Sequence, residues 1–131
     1  MLGTMPRTLV LLPVLASAAL FGCRTLPTEI PSDLSPQELF QLAQEEADRN
    51  NYAAAEVYYQ TVLERFPNDP EQIASARYNV GLMQYRDGRP EEAAASLEGL
   101  LELYESDEIP GLPAWPEALA RIILEEIRTG E

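Results

Sequence analysis

Two stretches of this chain, Leu39 to Pro67 and Arg77 to Glu105, are versions of one pattern set 38 residues apart. Ala43 aligns with Gly81, Asn50 with Gly88, Ala55 with Ala93, Tyr59 with Leu97 and Val62 with Leu100. A chain that repeats a unit of this size repeats one supersecondary element. Each copy buries its apolar face only against its neighbour. That restricts the fold to a stack of similar layers and sets its period before any single helix or strand is assigned.

The spacing of apolar residues says what each layer contains. Leu39, Phe40, Leu42, Ala43 and Ala47 recur at helical intervals and stop at Asn50-Asn51. Ala54, Ala55, Val57, Tyr58, Val62 and Phe66 form a second amphipathic run, ended by Phe66-Pro67-Asn68-Asp69-Pro70. A third holds Ile73, Ala76, Val80, Gly81, Met83 and Tyr85 up to Asp87-Gly88, and a fourth holds Ala93, Ala94, Leu97, Leu100, Leu101 and Tyr104. After a loop with Pro110, Gly111 and Pro113, a last run from Trp115 to Ile127 carries Ala118, Leu119, Ile122, Ile123 and Ile127. No segment alternates long enough to be a strand. The sequence predicts an all-α chain of two helical hairpins and a C-terminal capping helix, a fragment of an α-solenoid.

Asn79-Val80-Gly81, Tyr85, Gly88 and Glu92-Ala93 in the second unit, with Tyr52, Ala55, Tyr59 and Pro67 in the first, resemble the tetratricopeptide repeat, a helix-turn-helix unit of about 34 residues. The pattern has physical reasons. Small residues at Ala43, Gly81, Ala55 and Ala93 let two helices cross closely, and Asn50 and Gly88 tolerate the left-handed backbone that often ends a helix. Departures are Leu39 and Arg77 where the family has a large residue opening its first helix, Pro90 opposite Tyr52, and no Pro closing the second unit. The expected units are residues 37–69 and 74–106, with the four surplus residues in the Pro67-to-Ile73 loop and a capping helix over about 114–128. The resemblance implies a concave groove lined by the first helix of each hairpin. Carried over position by position, that groove holds Phe40, Gln44 and Ala47 from the first unit and Tyr78, Leu82, Tyr85 and Arg86 from the second. Phe40, Tyr78 and Tyr85 are equally readable as packing residues beneath the last helix.

Composition narrows the chemistry. The formal net charge is -13, and neither His nor Lys occurs. Without His the commonest general base and metal ligand are missing, and without Lys there is no Schiff-base chemistry. An acidic chain repels nucleic acid. The carboxylate pairs Glu45-Glu46, Glu91-Glu92 and Glu125-Glu126 are neighbours in helical runs, so their side chains diverge by roughly 100° and read as solvated faces. Asp69 and Glu71 lack calcium-loop spacing, and no Gly-rich phosphate cradle is present. No catalytic residue, metal or cofactor is expected.

The single Cys has another use. Met1 to Arg7 carries one positive charge, and Leu9 to Phe21 is apolar or small, long enough for a signal-peptide core but short of the roughly 20 residues that span a bilayer. Met5 serves equally well as the start. Leu20-Phe21-Gly22-Cys23 resembles the bacterial lipobox, with Phe21 in place of its usual small residue. That resemblance implies cleavage after residue 22 and acylation of Cys23, and two or three acyl chains anchor a domain where one would not. Arg24 stands where an Asp would favour inner-membrane retention, so the resemblance leans towards the periplasmic face of an outer membrane in a Gram-negative cell. Residues 23–36, with Pro27, Pro31 and Pro36, read as a lipidated flexible tether. Ser35, Pro36 and Glu38 then read as the cap, first residue and capping box of the first helix.

Two functions fit these features. One is a lipid-anchored scaffold that binds other envelope proteins, or a second copy of itself, during assembly of an envelope complex. The other is a ligand-binding accessory subunit of an envelope transport system.

Overall fold

The computed structural model describes residues 25–130 together with Gly3. The expected signal segment (Gly3 apart) and Cys23 lie outside the described residues. The described chain is all helical: α1 (Pro36–Asp48), α2 (Tyr52–Arg65), α3 (Pro70–Arg86), α4 (Pro90–Ser106) and α5 (Ala114–Thr129). Each helix packs on the next, and α5 also packs on α3. The result is two hairpins, α1–α2 and α3–α4, with α5 in the place where a third hairpin would begin.

Local chemistry sets the boundaries. The Ser35 hydroxyl accepts from the Glu38 amide, and the Glu38 carboxylate accepts from the Ser35 amide at 2.8 Å, so the capping box forms as the sequence implies. Asn50 and Gly88 close the two first helices with positive φ of 59° and 75°. The Pro67-to-Ile73 stretch is different from the loop that the repeat length suggested. Helix α3 already starts at Pro70, because the Asp69 carboxylate accepts from the Glu71 and Gln72 amides and Pro70 presets the first helical φ. The four surplus residues therefore add one turn to α3.

The small residues act as the repeat requires. Ala43, Ala55 and Ala93 are fully buried. At Gly81 an added Cβ would lie 2.6 Å from Cγ and Cδ2 of Leu97, so α3 and α4 touch there with no room for a methyl group. Tyr59, Val62, Leu97 and Leu100 are buried between the layers. A polar network ties the hairpins together. Glu56 of α2 accepts from Arg89 at 2.5 Å and from Gln84 of α3 at 2.9 Å, and Gln84 accepts from Ser96 of α4 at 2.6 Å.

The segment before α1, expected to be a flexible tether, lies pinned to α2. The Asn51 side chain donates to the Thr25 carbonyl at 3.1 Å, and Arg65 donates to the carbonyls of Ile30 and Pro31 at 2.9 and 2.5 Å. Ile30 and Leu34 pack on the cluster of Leu39, Val62 and Ala76. This strap bends at Thr28 and turns at Ser32 and Asp33, its prolines keep it out of a helix, and the guanidinium of Arg65 supplies the donors its carbonyls need.

Candidate binding groove

The first helices of successive layers, α1, α3 and α5, border an open groove. It holds a cavity of about 440 Å³ lined by Gln37 and Phe40 of α1, Glu71, Gln72, Ser75 and Asn79 of α3, and Trp115 of α5. That volume suits a few side chains of a bound segment. Each rim aromatic is braced from behind. Phe40 meets Tyr59 edge-on at 5.4 Å, and Trp115 meets Tyr78 edge-on at 5.4 Å. Such contacts hold the rings in place while leaving one face to a partner. Trp115 remains 43% exposed. The floor is rich in amides. The Asn79 nitrogen donates to the Ser75 carbonyl at 2.8 Å, which leaves its side-chain oxygen as an acceptor. Among the described residues of this lining, Glu71 is the only charged group.

From Trp115 the apolar surface continues along α5 through Leu119 and Ile122, spaced four and three residues apart and 39% and 54% exposed. Spacing of this kind puts all three on one side of the helix.

Of the seven positions expected from the repeat, Phe40 lines the cavity. Gln44 is exposed and donates to Asp48 at 3.0 Å. Ala47 is buried with Ala43, Tyr59 and Met83. Leu82 is half-buried between the two main core clusters. Tyr78 is only 9% exposed, packed with Leu97, Leu100, Ala120 and Ile123. Tyr85 is half-buried in the same cluster, where burial and the Glu126 carboxylate of α5 raise its phenol pKa. Arg86 is exposed, and its charge acts on the phenols of Tyr59 and Tyr78 against the upward push of burial. Helix α5 thus covers Tyr78 and part of Tyr85, and the groove is open nearer the start of α1 and α3. Sequence does not mark Gln37, Gln72 or Ser75 at all, and marks Asn79 only as a repeat-motif residue and Trp115 only as the start of the last run, not as groove residues. Their signal was available: uncharged residues at helical spacing in a chain rich in carboxylates, and the sole Trp at the start of a first-position helix.

Among the described residues no cluster of His, Cys, Asp or Glu could hold a metal ion, and no helix is long and apolar enough to cross a membrane.

Residues 40–108 match the family model described as tetratricopeptide repeat. This chain belongs to the tetratricopeptide repeat family. The matched span runs from the groove residue Phe40 through both hairpins. Repeats of this family generally mediate protein–protein interactions and are typically non-catalytic scaffolds. The chain is also similar to an uncharacterized protein of Treponema pallidum (strain Nichols), 32% identical over 125 residues, which are 94% of this chain and 49% of that protein. The chain therefore spans about half the length of the curated relative it matches. No solved structure matches it.

Proposed function

We propose that this protein is a lipid-anchored tetratricopeptide scaffold of a bacterial cell envelope, with no catalytic role, whose groove receives a segment of a protein partner. The single observation that carries the binding half is the open cavity between Phe40 and Trp115. Two braced aromatics flank a floor of amides, and aromatic anchors of this kind dominate the energy of many protein interfaces. The anchoring half rests on the signal-like run and the Leu20-Phe21-Gly22-Cys23 motif. Acylation at Cys23 places the domain on a membrane, and Arg24 favours the periplasmic face of an outer membrane.

The test is co-purification from membranes, with wild type compared against Phe40→Ala, Trp115→Ala and the double variant. Neither side chain is fully buried, and far-UV circular dichroism checks that each variant keeps its fold. Each anchor that contributes about 1.4 kcal/mol lowers partner affinity tenfold. A partner that is retained unchanged by the double variant would remove the groove from the account.

A further inference from the structure

The strap of residues 25–34 has a direction. Thr25 is bonded to Asn51, just before α2, while Ile30 and Pro31 are bonded to Arg65, the last residue of α2. Fourteen helical steps from Asn51 to Arg65 cover about 21 Å. Five residues from Thr25 to Ile30 reach at most about 18 Å when fully extended. The strap spans this length with a bend at Thr28, and the Asn51 and Arg65 side chains reach out to close the remainder. Pro27 and Pro31 restrict its backbone on either side of the bend, and the packed side chains of Ile30 and Leu34 fix its far end.

Cys23 precedes Thr25 by two residues, a reach of about 7 Å. We propose that the strap is a rigid stem that sets the orientation of the body on its membrane, an inference that rests on acylation of Cys23. The stem brings the anchor to the α1–α2 turn, so that this end of the stack faces the bilayer. The open part of the groove lies at the opposite end. Gln37, Glu71, Gln72 and Trp115 all belong to the first turns of α1, α3 and α5, while the α1–α2 turn follows the last turn of α1. The thirteen residues of α1 separate the two ends by about 20 Å. A flexible leash would present the groove in every direction, and this stem presents it away from the lipid, towards a partner approaching from the aqueous side. Orientation comes from the stem and not from lipid attraction, because an acidic body is not drawn to anionic headgroups.

The experiment uses the processed protein reconstituted in vesicles that contain a headgroup spin-labelled lipid, a short-range quencher of Trp fluorescence. The native Trp115 reports the groove end. Arg49→Trp in a Trp115→Phe background reports the α1–α2 turn; the Arg49 side chain is exposed and makes one surface ion pair. The expected result is quenching several-fold stronger at position 49 than at Trp115. Two further variants test the cause. Asn51→Ala with Arg65→Ala releases the strap. Ten Gly and Ser residues inserted between Arg24 and Thr25 leave every strap bond intact but add a coil of about 17 Å. Both should abolish the difference. Equal quenching at the two positions in the unaltered stem, or a difference that survives the insertion, overturns the stem. The mass of the N-terminal peptide decides the anchor separately: an unacylated Cys23 overturns the anchor, and the orientation with it.

Discussion

Gly81 and Gly99 are both helical glycines, in α3 and α4, and the structure gives them opposite fates on substitution by Ala. At Gly81 the new Cβ would sit 2.6 Å from two carbons of Leu97, about 1 Å inside a normal carbon–carbon contact. Leu97 is fully buried and its Cγ cannot swing aside. Overpacking of a core costs about 1–3 kcal/mol, and the better helix propensity of Ala returns up to about 1 kcal/mol. We expect Gly81→Ala to lose about 1–2 kcal/mol, a fall in Tm of about 5–15 °C for a domain of this size. At Gly99 nothing lies within 4 Å of the built Cβ, so only the propensity gain remains, and Gly99→Ala should be stabilised by about 0.5–1 kcal/mol. Urea unfolding followed by far-UV circular dichroism measures both. Trimming the obstacle should expose the coupling: Gly81→Ala combined with Leu97→Ala should be less destabilised than the sum of the single changes by about 1 kcal/mol or more. The first hairpin uses a different pair at these positions, Ala43 with the flat ring of Tyr59. A Gly81→Ala variant as stable as wild type, or strict additivity in the double variant, would refute close contact of α3 and α4 as the reason for glycine.

Glu56→Ala should cost about 2–3 kcal/mol in the same urea assay, because it strands the Gln84 amide and removes a charge-assisted bond to Arg89; the exposed pair Arg128–Glu125 should be dispensable by the same measure. A chain that ends at Asp107 lacks α5, which covers Tyr78, Leu97 and Leu100, and should melt with little cooperativity; a melt equal to that of the whole protein would show that the two hairpins suffice. Stability against pH should be flat between about pH 6 and 9, since neither His nor Lys is present. Above about pH 10 it should fall, because burial raises the phenol pKa of Tyr59 and Tyr78: the unfolded chain loses these protons first, so stability present below the ordinary phenol pKa is lost as pH rises through the folded value.

Much of the fold was legible because it depends on residues a few positions apart. The capping box at Ser35 and Glu38, the positive φ at Asn50 and Gly88, and the buried Ala43, Ala55 and Ala93 all follow from spacing within one helix or between two repeats. The extra turn of α3 was hidden because Pro67-Asn68-Asp69-Pro70 carries both a chain break and a helix start. The strap was hidden for a different reason. Its bonds join residues 26, 34 and 35 positions apart, and neither Asn51 nor Arg65 differs in type from a surface residue. The groove was half legible. The repeat located its helix faces, but the packing of α5 decides that Tyr78 lies under Trp115, and the packing of α2 and α3 on α1 decides that Ala47 joins the core. Likewise Glu56 reads in sequence as one carboxylate among many, and becomes a link between hairpins only when Gln84 and Arg89 converge on it.

The central claim is that the groove is where a protein partner binds. A photo-crosslinking residue at Gln72, in the groove floor, and another at the exposed Gln60 of α2 test it most directly in living cells. The account predicts a discrete protein adduct from Gln72 that disappears when Phe40 and Trp115 are both changed to Ala, and none from Gln60. The same adduct from both positions, or no protein adduct from Gln72, would contradict it.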